Sequence, residues 1–396
     1  MNNVPILFEK LEECCGCAAC VNICPQKAIK MQEDTEGFLY PFVELDKCIK
    51  CHLCEKVCAL KRDKDTKHYN QLDKDEPNVF AVKHKEDEVR MNSRSGGMFT
   101  AITDYILKND GVVYGAALTQ DFCVEHMRTE TKEGRNLMRG SKYIQSKIGN
   151  IFKSVKDDLE KGRSVLFSGT SCQVAGLKGY LQKDYEKLIC LDIVCHGVPS
   201  PLVWKKYLTW QENRYGKCVS VDFRNKIDFG WANHVETMEF EKDGKTRRIH
   251  SRIYTELFYG HAILRPVCYE CPYKSIYHPG DITIADFWGI EKAVPGFSDN
   301  KGVSLVLINN AKGKEYFDCI KKDLRYQKAE LQKCLQPPLI KPFPKPDNRE
   351  EFWKDFGEKP FSYIANIYGK NRINYKIKRI YHKWKERFRQ KWRSDL

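Results

Sequence analysis

The sequence lacks the features that would place it in a bilayer or send it out of the cell. No run approaches the 18 apolar residues of a spanning helix, and residues 1–15 have neither the basic start nor the apolar centre of a secretory signal. The expected location is cytoplasmic, where thiols stay reduced. Cysteine is too sparse for a small disulfide scaffold: 18 in 396 residues is well below the share of about 8–10% that marks one. Disorder is excluded as well, because 42% apolar and 30% charged residues suit a chain of two or three packed units. The cysteines must therefore be read by spacing.

A basic reading surface for nucleic acid is also missing. Residues 370–396 hold eleven Lys or Arg against Glu386 and Asp395, so the tail supplies +9 of the net charge of +14. The body keeps only +5 and shows no reading motif, and no nucleic acid partner is expected.

What is present is an internal repeat. Cys14, Cys17, Cys20 and Cys24 are separated by two, two and three residues and followed by Pro25. Cys48, Cys51, Cys54 and Cys58 repeat those gaps, with Ala59 in place of the proline. Such gaps wrap a short loop around one iron-sulfur cube, turn backbone N–H groups toward its sulfides, and send the fourth thiolate to the other cube. Cys14, Cys17, Cys20 and Cys58 are thereby assigned to one [4Fe-4S] cluster, and Cys48, Cys51, Cys54 and Cys24 to its neighbour. Zinc sites are usually built from separated ligand pairs, a habit that two triplets and two distant singles do not share. Two cubes form a one-electron wire without a place for a substrate to react. Cys15 falls off the two-residue register and reads as a structural neighbour.

The stretch 61–77, KRDKDTKHYNQLDKDEP, is nearly devoid of apolar residues and reads as a charged linker between a ferredoxin-like domain over 1–60 and a body over 78–335. In the body, apolar runs at 112–118, 165–167, 188–194 and 304–308 predict strands, and 101–107, 151–160, 174–181 and 203–210 carry helical spacing. Asp243-Gly244 predicts a hairpin within 237–251. Strands alternating with helices predict an α/β (α+β) core with an antiparallel insertion.

Three loops and a cysteine pair in this body can carry chemistry. SRSGGMFT at 93–100 leads into a helix, where free N–H groups bind phosphate, although Ser-Gly-Gly before a helix is more often a plain capped turn. SGTSCQ at 168–173 and Cys195-His196-Gly197 each put a thiol at a strand's carboxyl end, the edge where open α/β sheets hold ligands. Cys268 and Cys271 form the pair, with Pro272 following. Spacing leaves two readings open: Cys172, Cys195, Cys268 and Cys271 close a third four-thiolate site, or they are two unrelated buried cysteines and a zinc-like pair. Cys123, Cys190, Cys218, Cys319 and Cys334 lack partner spacing and read as small buried apolar residues.

Taken in order, the repeat, SRSGGMFT, GSKYIQS, VLFSGTSCQVAGLKGYL, DIVCHGVPSP, CYECPY and GDITIADFWGI resemble the coenzyme F420 hydrogenase/dehydrogenase beta-subunit family, from about residue 14 to about residue 308. Ser171 stands where the family usually shows proline, a local change that leaves the neighbouring thiol in place. The resemblance implies FAD in the body and a third [4Fe-4S] cluster held by Cys172, Cys195, Cys268 and Cys271. By motif position it also implies that Ser95, Gly96, Gly97 and Thr100 approach the FAD pyrophosphate, with Gly140, Ser141, Lys142 and Tyr143 lining the flavin. Lys142 or Arg139 would stabilise an anionic reduced flavin if near N1; otherwise both are solvated loop charges. Asp286 and Trp288 either shape the pocket or serve as a capping Asp and a core tryptophan.

A flavin takes two electrons together and releases them singly, so such a protein couples hydride chemistry to one-electron clusters. The implied partners are a ferredoxin-like donor or acceptor, a small-molecule hydride partner such as coenzyme F420, and a partner subunit. The rival class is an electron carrier docked to a catalytic partner and without chemistry of its own. Family members with a fused ferredoxin module also stand beside surface-polysaccharide genes, which adds polysaccharide biosynthesis as an expected context.

Over 336–396 the chain is first Pro-rich, which predicts breaks in regular structure, and then basic and aromatic. Ile373, Ile377, Ile380, Trp384, Phe388 and Trp392 recur along one helix face, the pattern of an interfacial helix. It suits peripheral membrane contact and, equally, docking on protein.

Overall fold

Near-continuous Val, Ile and Leu runs make strands that are buried on both faces, and they set the centre of this protein. The computed structural model describes residues 4–66 and 75–371. Its strands in chain order are β1 (Ile29–Glu33), β2 (Leu39–Val43), β3 (Asn78–His84), β4 (Val112–Leu118), β5 (Val124–Thr129), β6 (Val165–Thr170), β7 (Leu188–Ile193), β8 (Lys217–Asp222), β9 (Glu236–Lys242), β10 (Lys245–Ser251), β11 (Ile282–Asp286), β12 (Ser304–Ile308) and β13 (Leu324–Ala329). Helices important to the site are α1 (Ala19–Ile23), α2 (Leu53–Lys56), α3 (Ala59–Thr66), α4 (Asp87–Met91), α5 (Met98–Lys108), α6 (Lys132–Met138), α7 (Ile151–Glu160) and α8 (Ser171–Leu181).

Two units divide the chain. The first comprises Met1–Leu202, Asn225–Asn233 and Leu264–Pro344. It holds the antiparallel β1–β2 pair and an eight-stranded sheet of order β13-β3-β12-β11-β7-β6-β4-β5. The middle strands β11, β7, β6 and β4 run parallel, while the flanks are antiparallel. Helix α5 and the helix Ala311–Ile320 cover one face, packing Ile102, Ile106 and Phe317 with Val113, Leu166 and Ile189. Helices α7 and α8 cover the other, with Phe152, Val155 and Leu177 against Tyr114 and Phe167. The expected α/β class is the one found.

Ala18, Ala19 and Val57 belong to that second core cluster, so the cysteine-rich segment is seated on α8. Gly176 and Gly179 permit the approach: a Cβ on Gly179 would run into the Val57 carbonyl oxygen. Glycine inside a helix costs about 0.5–1 kcal/mol relative to alanine, and here close packing is the reason for it.

The second unit comprises Val203–Arg224, His234–Ile263 and Lys345–Leu396. Its three-stranded antiparallel sheet has the order β10-β9-β8. The β9–β10 turn falls at Asp243-Gly244, with φ of 52° and 69°, the two positive values that suit a tight hairpin. Buried Glu236 accepts the Tyr207 hydroxyl at 2.9 Å and the backbone N–H groups of Tyr254 and Thr255 at 2.9 and 3.0 Å.

Two sequence expectations are corrected. The linker over 61–77 begins as helix, because α3 runs on from Ala59 to Thr66. Of the prolines beyond 336, Pro342, Pro344 and Pro346 stand outside regular structure as expected, while Pro337 starts a helix instead of breaking one. Pro337 opens the helix Pro337–Ile340, and Pro360 precedes Phe361–Ile367, where a fixed φ and a missing N–H do no harm. The amphipathic pattern from Ile373 to Trp392 lies outside the described residues. Among the described residues no helix is long and apolar enough to cross a membrane.

Candidate functional site

Strands β6 and β7 lie side by side and parallel, with Thr170 paired to Ile193, so their carboxyl ends deliver two loops to one edge of the sheet. One loop starts α8 with a reciprocal cap between Thr170 and Gln173, which sets Cys172 in the first turn. The Thr170 Oγ1 stands 3.2 Å from the Cys172 Sγ. The other loop carries Cys195. Cys268 sits in the short 3-10 turn Pro266–Tyr269, and its sulfur accepts the Val198 N–H at 3.3 Å. Cys271 follows, two residues farther along the chain.

These four thiols are electrostatic neighbours. Burial pushes Cys195 up to about 12, and the charges of Cys268 and Cys172 add to it. Cys271 is raised well above the ordinary thiol value by burial first, then by Cys172, Cys268 and Cys195. Buried Lys274, whose Nζ donates to the His196 carbonyl at 2.8 Å, pulls Cys195 and Cys268 down. Among the described residues, no three His, Cys, Asp or Glu side chains draw close enough to hold a single metal ion. The thiols here face one another at the longer range over which thiolates repel.

In the amino-terminal segment, burial raises Cys20, followed by Cys14, Cys58 and Cys54. Cys58, from the second run, is raised by burial and then by Cys14 of the first. Cys24, from the first run, lines a small cavity together with Cys48, Cys51 and Cys54 of the second. Its Sγ accepts the Ala28 N–H at 3.3 Å. Each run thus sends its last thiol to the other, the arrangement that two cubes with exchanged fourth ligands require.

Between the two regions lie residues that spacing did not single out. Cys15 is buried, and its thiol is hydrogen-bonded to both Cys17 and Cys172; the Cys17 bond raises it most, while the Cys172 bond opposes. Arg265 is fully buried and donates from Nε to the Cys14 carbonyl at 2.8 Å and from Nη1 to the Gln145 Oε1 at 3.0 Å. Its Nη2 reaches the Leu39 carbonyl at 3.0 Å and the Cys14 Sγ at 3.7 Å. The Arg265 charge also lowers Cys172 and Cys268. A single Arg outside any repeat carries no sequence signal of such a role.

The loop residues expected near a flavin divide in two. Ser95 and Gly96 are held by the sheet: the Ser95 Oγ donates to the Val303 carbonyl at 2.6 Å, and the Gly96 N–H donates to the Ser304 Oγ at 3.0 Å. A Cβ on Gly96 would strike the Val82 carbonyl oxygen. Gly97, with φ of 93°, starts α5 without a side-chain cap, and Thr100 is fully buried in the first turn. Gly140, with φ of 79°, faces the guanidinium of Arg94, since a Cβ there would lie 3.4 Å from its Nη2. Lys142 donates to the Arg139 carbonyl at 3.0 Å. Its ammonium is desolvated, and burial together with the Arg94 charge holds it down to about 7. By accessible surface Lys142 is half-buried. Burial, then the Arg135 charge, also lowers Arg139. Ser141 and Tyr143 flank Lys142, half-buried. The donor set fits an anion: an uncapped helix start beside Arg94 and Lys142.

Asp286 accepts the Trp231 Nε1–H at 2.6 Å, and Trp231 stacks on Trp288 with centroids 4.9 Å apart. Trp288 is 36% exposed, so it is a surface ring, not a core one.

Residues 162–333 match the family described as the carboxyl terminus of the coenzyme F420 hydrogenase/dehydrogenase beta subunit, and residues 13–61 match the 4Fe-4S dicluster domain. Among solved structures, a chain of the xenon-derivatised F420-reducing [NiFe] hydrogenase complex from Methanosarcina barkeri is similar at 18% identity, with a TM-score of 0.44 over 64% of this chain and 82% of that one. No curated protein matches the chain.

Proposed function

We propose that this chain, whose residues 162–333 belong to the coenzyme F420 hydrogenase/dehydrogenase beta-subunit family and whose residues 13–61 form a 4Fe-4S dicluster domain, is an iron-sulfur flavoprotein oxidoreductase. It holds three [4Fe-4S] clusters and one FAD, and it joins one-electron transfer to two-electron chemistry on a small partner such as coenzyme F420. The observation that carries this reading is the convergence of Cys172, Cys195, Cys268 and Cys271 from three separate loops, next to Cys15 of the dicluster domain.

When bound, FAD supplies the exchange between paired and single electrons, and the clusters supply the single-electron steps. The chain's own residues do the rest. The Val198 and Ala28 N–H groups donate to the Cys268 and Cys24 sulfurs, and such bonds stabilise thiolates. Arg94, Lys142 and the α5 start supply positive potential for a pyrophosphate or an anionic ring. Buried Cys268 and half-buried Cys172 and Cys195 limit the access of water to the thiolates.

A ferredoxin-like carrier exchanging electrons at the Cys51 side, where that residue is exposed, completes the scheme. A partner subunit and a context in polysaccharide assembly are further parts of the proposal that rest on the family resemblance.

Oxygen-free purification with iron, sulfide and flavin analysis tests the reading: about twelve irons and one FAD are expected, from three clusters of four. Steady-state turnover with reduced ferredoxin or reduced F420 and an artificial acceptor separates an enzyme from a pure carrier. A colourless, flavin-free preparation would reject the proposal.

A further inference from the structure

We propose that Arg265 sets the potential of two clusters at once, as a buried countercharge shared by the Cys14, Cys17, Cys20, Cys58 site and the Cys172, Cys195, Cys268, Cys271 site. The proposal rests on the cluster reading above and adds a residue that family membership does not assign.

A guanidinium cannot lose its proton, so a fully buried one must find negative charge or strong dipoles. The polar contacts of Arg265 among the described residues are two carbonyls, one amide oxygen and the Cys14 Sγ; none is a carboxylate. Aromatic rings flank it, with the Tyr40 ring centre 4.0 Å from the guanidinium carbon and that of Phe38 at 5.4 Å. Thiols of both sites adjoin this residue: the Cys14 Sγ lies 3.7 Å from Nη2, the Cys268 N–H donates to the Arg265 carbonyl at 2.9 Å, and the Arg265 N–H donates to the carbonyl of Val198, whose own N–H meets the Cys268 sulfur.

The loop is built to close on this group. Gly16, with φ of 70°, admits no side chain, because a Cβ would lie 2.7 Å from the Gln145 Nε2 and 3.0 Å from the Arg265 Nη1. Gln145 spans the gap, accepting from Arg265 and donating to the Cys15 carbonyl at 3.4 Å. The Cys15 thiol, bonded to Cys17 and Cys172, provides a side-chain route between the same two sites.

Adding one electron makes a cluster more negative, so a fixed cation favours the reduced form and raises the potential. The effect falls off with distance and solvent. Cys24, Cys48, Cys51 and Cys54, with Cys51 exposed, line a separate cavity that Arg265 does not line, and their cluster serves as an internal reference.

The test is a redox titration of the full-length, cluster-loaded chain followed by paramagnetic resonance. Variants are R265Q, R265K and Q145E, the last placing a carboxylate against the guanidinium without removing it. R265Q and Q145E are expected to lower the two inner midpoints by a tenfold change in reduction equilibrium, about 59 mV for one electron, with the outer midpoint unmoved. R265K keeps the charge and stays near wild type. Inner midpoints unchanged in R265Q with full iron content, or all three moving together, would overturn the proposal. If R265Q loses iron, unchanged inner midpoints in Q145E overturn it instead. A wild-type chain without the inner signals rejects the cluster reading, and this proposal with it.

Discussion

Gly176 on α8 faces Cys17 so closely that a methyl group has no room: a Cβ on Gly176 would stand 2.7 Å from the Cys17 Cβ and 2.8 Å from its Sγ. Gly176→Ala should therefore displace one thiol of the proposed first cluster while improving the intrinsic helix propensity of α8 by about 1 kcal/mol. The expected result is a folded chain with about eight irons in place of about twelve. Iron analysis and circular dichroism of the same sample check it.

The proposed exchange of fourth ligands makes a second prediction. Cys58 is raised by Cys14, and Cys24 shares a cavity with Cys48, Cys51 and Cys54. Cys58→Ala and Cys14→Ala should erase the same paramagnetic signal, and Cys24→Ala should erase the one lost in Cys48→Ala. Pairing by sequence run, with Cys24 grouped with Cys14, would contradict the geometry.

His126 gives stability a pH dependence. It is buried, stacks on Phe167 at 5.3 Å, and burial holds it down to about 4 from an ordinary 6.5. The unfolded chain then binds a proton below pH 6.5 that the folded chain refuses until about pH 4. Stability from this group is complete above pH 6.5 and falls as pH drops to about 4, by on the order of 3 kcal/mol. Apparent Tm measured from pH 7 to 4 should fall less steeply in His126→Gln.

Lys142, held down to about 7 by burial and Arg94, should take up a proton when an anion binds beside it. FAD binding at about pH 8 is expected to be coupled to proton uptake and to weaken as pH rises. Calorimetry in buffers of different ionisation enthalpy reads the proton directly. Lys142→Met should abolish the buffer dependence and lower FAD affinity about tenfold, in line with the loss of one charge-assisted contact.

The sheet strands were legible because strands buried on both faces need unbroken apolar runs: 112–118 and 304–308 coincide with β4 and β12. The helical period of 151–160 likewise coincides with α7. Pro337 misleads because a breaker inside a helix is harmless at its start, whereas Pro342, Pro344 and Pro346 stand outside regular structure as expected.

By itself the amino-acid order determined the ligand spacing of the two cysteine runs and the α/β class. A loop of fixed length around a cube and an apolar run in a two-faced sheet are both local constraints. Only the tertiary structure decided that Cys15 touches Cys172 and that Arg265 lies against Cys14. It alone also gave Gly176 its place under Cys17. These pairs are separated by more than 150 residues, and no local period or propensity relates them. They arise because parallel strands β6 and β7 carry their loops to one edge, and because glycines on α8 let the cysteine-rich segment settle there.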